Sequence, residues 1–203
     1  MIKREKIASQ SENFIGCWNL ENTNLFDKIV NFFEDNSRLH KKGYVSGNIN
    51  DQIKKTTDIT IDPTDLNKNE YSIFKNYFEE LYNCYDDYKK QWPYLEKTFK
   101  ILDIPSFNVQ RYNPGDHFSH IHCERDSTKY MHRVFAWMTY LNDINSENGT
   151  TNFTHYDIKI KPEKGKTLIW PAEWTHAHTG EILKFETKYI ITGWLCFPFE
   201  KIS

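Results

Sequence analysis

With 203 residues and a formal net charge of -2, the chain is long enough for one domain with its own core, and it lacks the concentrated excess of Lys and Arg that a phosphate-binding surface needs. Nucleic acid is therefore not an expected partner. The opening Met1-Ile2-Lys3-Arg4-Glu5-Lys6 is charged and has no apolar run behind it, so no leader peptide and no membrane span are expected, and the reading is a cytoplasmic protein.

Residues 1 to about 15 are polar and read as an extended or frayed arm. From Thr23 to about Arg38, Leu25, Phe26, Ile29, Val30 and Phe33 recur at the three- and four-residue steps of an amphipathic helix. Asp58 to Asp65 alternates weakly and contains Pro63, which suggests a short edge strand or a loop. A longer helix is expected from about Asn69 to Gln91, with the stripe Tyr71, Phe74, Phe78, Leu81, Tyr82, Tyr85 and Tyr88, ended by Pro93. Such a stripe fits a helix packed on a sheet.

After Leu102 the pattern changes to strands separated by turns. Phe107 to Tyr112 alternates and runs into the turn Asn113-Pro114-Gly115-Asp116. Arg133 to Leu141 is rich in aromatic and β-branched residues. Asn148-Gly149 is a second turn, Ile158 and Ile160 mark a strand, and Pro162-Glu163-Lys164-Gly165 precedes Thr167 to Trp170; Tyr189 to Phe197 closes the set. Many short strands with no helical pattern among them indicate an antiparallel sandwich or barrel, so the expected order is helices first, then a jelly roll. The cysteines, Cys17, Cys84, Cys123 and Cys196, are too scattered for a metal knuckle or redox pair and are expected to be free, buried thiols.

Five of the eight histidines fall in two short stretches, His117 to His122 and His176 to His178. Residues two apart on a strand share a face about 6 to 7 Å apart, so His122 and Glu124 should point the same way, with Cys123 turned opposite. A distant histidine, with His178 the candidate, would complete a two-His-one-carboxylate set, which leaves coordination positions open on Fe(II). His120 and His176 share those faces too. A three-His centre using His120 and His122, a metal-binding β module without oxygenase activity, and plain solvated loop histidines remain as rival readings. Strand alternation also places Lys188, Ile190, Thr192 and Trp194 on one face, where a cationic Lys188 could meet an anionic co-substrate.

The ordered pieces Gln110-Arg111-Tyr112-Asn113-Pro114-Gly115, His122-Cys123-Glu124, Arg133, Tyr140-Leu141-Asn142, Gly149 to Phe153, Pro162 to Gly165 and His178-Thr179-Gly180 with Lys188 and Trp194 resemble the prolyl 4-hydroxylase-like branch of the 2-oxoglutarate- and Fe(II)-dependent dioxygenases. The resemblance implies a mainly β fold with N-terminal helices, a double-stranded β-helix (cupin-like jelly roll) core over residues 105–200 and a helical support with flanking strands over 16–104, within a single domain spanning 1–203. It implies Fe(II), 2-oxoglutarate and O2, with ascorbate as a candidate reductant. His122, Glu124 and His178 correspond to the iron ligands. Lys188 corresponds to the partner of the far carboxylate of 2-oxoglutarate, Tyr140 to a phenolic donor to it, and Thr192 is an additional candidate donor. Glu124 departs from the aspartate usual in the family; its carboxylate favours hydroxylation over halogenation. Arg133, Arg125 and Tyr112 are candidate substrate contacts. The implied reaction is hydroxylation of a C–H bond in a prolyl residue or another peptide, protein or amino-acid substrate, with release of succinate and CO2, by a monomer or homodimer.

Overall fold

The computed structural model describes residues 2–5, 12–45 and 49–198. In chain order the strands and helices are β1 (Ile2–Arg4), β2 (Gly16–Leu20), α1 (Thr23–Asp35), β3 (Lys41–Lys42), β4 (Thr57–Ile61), α2 (Ser72–Gln91), α3 (Tyr94–Thr98), β5 (Phe107–Tyr112), β6 (Phe118–His122), β7 (Arg133–Tyr140), β8 (Thr151–Phe153), β9 (Ile158–Ile160), β10 (Lys166–Pro171), β11 (His178–Gly180) and β12 (Lys188–Cys196). An eight-stranded sheet runs β1-β2-β10-β7-β12-β5-β4-β3 and a four-stranded sheet runs β6-β11-β8-β9. Each recorded strand pairing is antiparallel. The two sheets form a jelly roll, with the helices against the outer face of the larger one.

The period-2 alternation of the strands sorts their side chains into two cores. Ile59, Ile61, Phe107, Val109, Phe135, Trp137 and Ile191 turn outward and pack with the α1 and α2 stripe of Leu25, Phe26, Phe33, Phe74, Phe78 and Leu81. Ala136, Met138, Tyr140, Leu168, Trp170 and Ile190 turn inward and meet Phe153, Ile158 and Ile160 from the smaller sheet. The Phe107 ring sits between Phe74 and Phe78 of α2 at 5.5 and 4.9 Å, both edge-on, a geometry that adds favourable quadrupole contact to the burial. No helix is long and apolar enough to cross a membrane among the described residues.

Several sequence expectations need correction here. The 57–61 segment is not an edge strand or loop: β4 lies between β5 and β3, with Pro63 falling just after it, where a 3-10 turn capped by Asp62 begins. Of the extended or frayed arm expected over residues 1 to about 15, β1 is extended and pairs with β2, Ile2 opposite Leu20, while residues 6–11 lie outside the described residues. β2 itself, buried between β1 and β10, was hidden in a five-residue segment too short to show a period.

Candidate metal centre and active site

The pairing of β6 with β11 sets His122 directly opposite His178. His122, Glu124 and His178 bring three ligand-type atoms within 4.8 Å of one another. Glu124 arrives by a different route from the one its spacing suggested. β6 ends at His122, and Glu124 lies beyond it, fixed by its amide donating to the Ala172 carbonyl at 3.2 Å. Because the strand has ended, Cys123 does not turn to the opposite face; it lines the same cavity, partly exposed, while Cys17, Cys84 and Cys196 are free and buried as expected.

Both imidazoles are oriented from behind. His122 Nδ1 lies 2.9 Å from the His120 carbonyl and His178 Nδ1 2.9 Å from the His176 carbonyl. A carbonyl only accepts, so each Nδ1 carries the proton and each Nε2 presents a lone pair. Phe118 stacks on the His122 ring at 3.6 Å between centroids, and Trp170 meets the His178 ring edge-on at 5.2 Å. The two Nε2 atoms face Glu124 Oε1 at 3.7 and 3.5 Å. Three electron-pair donors directed at one another repel unless a cation lies between them, so this donor set fits a divalent metal. Two nitrogens and one carboxylate oxygen are the set suited to open-sited Fe(II).

The extra methylene of Glu124 is absorbed by anchoring its other oxygen. Trp194 Nε1 donates to Glu124 Oε2 at 2.7 Å, and Arg133 Nη1 donates to the Glu124 main-chain oxygen at 2.9 Å and lies 3.6 Å from Oε2. Burial tends to raise the Glu124 pKa, but a hydrogen bond from His178, the charge of His122 or His178 whenever either ring is protonated, and the nearby Arg133 outweigh it and hold the carboxyl well below its usual range; with both imidazoles neutral, Arg133 is the cation left beside it. Burial, reinforced by His178, pushes His122 down to about 3, so it is a neutral ligand near pH 7.

A cavity of about 800 Å³ opens from this cluster and reaches Lys188. Lys188 is 3% exposed; its ammonium donates to the Gly149 carbonyl at 2.7 Å and lies 4.7 Å from the Tyr112 ring centroid. Gly149 has φ +82°, a left-handed conformation, and a Cβ there would come within 2.6 Å of Leu183, so the turn that offers this carbonyl needs glycine. Burial pushes Lys188 down to about 8, with Glu181 pulling weakly the other way. A buried ammonium with one recorded hydrogen bond to a neutral carbonyl is a recognition point for an anion.

The remaining candidate residues divide clearly. Ile190, Thr192 and Trp194 line the cavity with Lys188, as alternation predicts, but Thr192 spends its hydroxyl proton on the Trp137 carbonyl at 2.8 Å. Tyr140 does not line the cavity: its hydroxyl donates to Thr151 Oγ1 at 2.6 Å, and Thr151, which the sequence reading passed over as a ligand contact, takes its place on the wall. Strand alternation around Gly149 to Phe153 could have found it. Arg133 lines the cavity, its guanidinium 3.6 Å from the Trp194 ring centroid and 4.0 Å from that of Tyr130. Arg125 does not line it and instead pairs with Glu173. His120 is exposed outside the cluster, and His176 is buried, with Nε2 2.8 Å from the Asn13 carbonyl.

Residues 107–196 match the model of the 2OG-Fe(II) oxygenase superfamily. No curated protein matches the chain by sequence. Among solved structures, a Pseudomonas putida prolyl-4-hydroxylase is similar with a TM-score of 0.72 at 13% identity, over 91% of this chain and 94% of that one. The viral collagen prolyl hydroxylase of Paramecium Bursaria Chlorella virus-1, in its 2OG complex, gives 0.67 at 16% over 90% and 96%. A Trichoplax adhaerens prolyl hydroxylase bound to a hypoxia inducible factor oxygen degradation domain peptide gives 0.69 at 15% over 91% and 84%. Over residues 107–196 the chain thus carries a 2OG-Fe(II) oxygenase domain, and it is a dioxygenase of prolyl 4-hydroxylase-like fold whose cofactors are Fe(II), 2-oxoglutarate and O2.

Proposed function

We propose that the chain hydroxylates a C–H bond of a peptidyl substrate, with a prolyl residue as the first candidate, using His122, Glu124 and His178 to hold Fe(II) and Lys188 to hold the far carboxylate of 2-oxoglutarate. The observation that carries this reading is the placement of one buried ammonium and one two-His-one-carboxylate cluster in the same cavity. Bound there, iron and 2-oxoglutarate would supply the oxidising power for C–H hydroxylation, with succinate and CO2 as the other products.

The chain's own residues bind, orient and screen. Lys188 neutralises the far carboxylate, with the Gly149 carbonyl steering its ammonium and the Tyr112 ring covering it. Thr151, which accepts the Tyr140 proton, is left with its own proton for a bond into the cavity. Trp194 and Arg133 hold Glu124 Oε2 so that Oε1 stays with the imidazoles. Trp170, Phe118 and Ile190 exclude water from the two ends of the site. The peptide class is supported by the resemblance in fold to a prolyl hydroxylase that was solved with a peptide.

The test is to add Fe(II) and 2-oxoglutarate to the purified protein without oxygen and record the weak visible charge-transfer band of the chelate. Air is then admitted and succinate measured with proline-containing peptides, other peptides and free amino acids. A band followed by peptide-stimulated succinate supports the reading; absence of the band in a folded protein overturns it. Stimulation by free amino acids alone would move the substrate class.

A further inference from the structure

The cavity wall opposite the smaller sheet carries a buried ion pair that the proposed chemistry does not use. Lys54 and Asp58, 5% and 6% exposed, pair at 2.9 Å. The Asp58 carboxylate also accepts from Thr56 Oγ1 at 2.7 Å and from Gln110 Nε2 at 3.0 Å. Asp58 and Gln110 are cross-strand partners in the β4–β5 ladder. Gln110, 4% exposed, accepts the Tyr112 hydroxyl proton on Oε1 at 3.1 Å. Tyr112 is in turn the cross-strand partner of Lys188, whose ammonium its ring covers.

The direction of this chain follows from Asp58 alone. A carboxylate can only accept, so it takes the amide nitrogen of Gln110, turns the amide oxygen toward Tyr112, and obliges the phenol to donate to it. The Tyr112 proton is then spent on Gln110. What Tyr112 offers Lys188 is its ring face, and Gln110 sets where that face lies. At the other end, Lys54 lies 5.6 Å from the centroid of Phe118, the ring stacked on His122. Desolvating an ion pair in this position costs stability that hydrophobic residues would not cost, and a fully satisfied polar network in return fixes geometry.

We infer that Gln110, locked by Asp58, is a positioning residue for the co-substrate pocket: it holds Tyr112 in register over Lys188, and so sets the ammonium that receives the far carboxylate of 2-oxoglutarate. The inference rests on the reading of Lys188 given above. It assigns Gln110 no contact with substrate or metal.

The test is calorimetric titration of 2-oxoglutarate into the Fe(II)-loaded protein without oxygen, using wild type, Gln110→Leu, Tyr112→Phe and the double variant, with Fe(II) affinity measured alongside. Each single variant is expected to weaken 2-oxoglutarate binding about 10-fold or more, the usual scale for an outer hydrogen-bond partner. The double variant is expected to be no weaker than the worse single one, because both cut the same link. Fe(II) affinity should not change, and in turnover the 2-oxoglutarate KM should rise while kcat at saturation is kept. A purely structural role would instead lower metal affinity and kcat together. Unchanged 2-oxoglutarate affinity in folded Gln110→Leu, or additive losses in the double variant, overturns the inference while leaving the function standing. If Gln110→Leu fails to fold, Tyr112→Phe decides, since wild-type affinity in that variant also overturns it. If wild type itself does not bind 2-oxoglutarate, the proposed function falls and takes the inference with it.

Discussion

On β4 and β5, Ile59, Ile61, Phe107 and Val109 face the helices and are at most 1% exposed, while the alternate residues Asp58, Thr60, Asn108 and Gln110 line the cavity. β12 repeats the division, with Ile191 and Leu195 in the helix-side core and Lys188, Ile190, Thr192 and Trp194 on the cavity. The same strands thus present a face that supplies burial free energy and a face that gives up burial to hold polar groups in place. The candidate site sits on the face a sandwich would ordinarily fill with apolar side chains. The division predicts that substitutions on one face change stability without changing ligand affinities, and that substitutions on the other do the reverse.

The largest effect is expected at the carboxylate. Glu124→Ala leaves two imidazoles without the anionic donor, and 2-oxoglutarate-dependent succinate formation should drop by more than the roughly 10- to 100-fold typical of losing an outer partner. The metal-free variant should unfold at a lower temperature than metal-free wild type, because Trp194 Nε1 and Arg133 lose the carboxylate they face. The wild-type melting temperature should rise with added Fe(II) and that of the variant should not, by mass action.

The mirror experiment on the other face is Phe107→Ala. This ring is fully buried between two α2 aromatics, so its loss should cost about 3–5 kcal/mol by transfer plus cavity terms, or roughly 10 °C in melting temperature. The KM for 2-oxoglutarate in the surviving folded protein should stay at the wild-type value. A large KM change there would mean that the two faces are not energetically separate.

A smaller and pH-dependent effect is expected at Lys188. Burial lowers it from its ordinary value of 10.5 to about 8, so between those values the unfolded chain binds more protons than the folded one. Stability of the co-substrate-free protein should therefore rise with pH across that window. Anion recognition runs the other way: 2-oxoglutarate affinity should fall as pH rises through about 8 and the ammonium is lost. Lys188→Met should remove both dependences along with most of the affinity. Lys188→Arg, which stays charged, should flatten the pH profile of whatever binding it retains. A wild-type affinity that does not vary between pH 7 and 9.5 would argue against Lys188 as the anion's partner.

How much of this was visible beforehand depends on the length of the signal. The stripe of α2 and the alternation of β5 and β12 span enough residues for the period to show, and the structure gives helix and strands there. β2 and β4 are five residues each, and their place inside the sheet is set by partners far along the chain, β10 and β5, which local pattern does not encode. At the site, spacing pointed to the residues that converge but misjudged how. It treated His122, Cys123 and Glu124 as one strand, whereas the strand stops at His122, which is why Cys123 shares the cavity. The Tyr140 hydroxyl, expected as a donor to the co-substrate, is engaged with Thr151 of the opposite sheet, a cross-sheet contact that local pattern does not encode. Gln110 stood in one of the family-like motifs and Asp58 at the start of an expected strand, but nothing linked the two, because the link is a cross-strand contact.

The smallest expected effect separates the two ligand readings that spacing alone left open. The His120 side chain is exposed and outside the cluster although it shares a strand face with His122, and its contribution to the cluster is its carbonyl, which fixes His122 Nδ1. A main-chain carbonyl survives substitution of the side chain, so His120→Ala should leave Fe(II) affinity and succinate formation near wild type and stability within about 0.5 kcal/mol. A three-His centre requires the opposite pattern, with His120→Ala inactive and Glu124→Ala active. Measured side by side, the two variants cannot both behave like wild type if either centre exists. The anchoring of Glu124 Oε2 by Trp194 and the absence of the exposed His120 from the cluster of ligand atoms are what favour loss in Glu124→Ala and retention in His120→Ala.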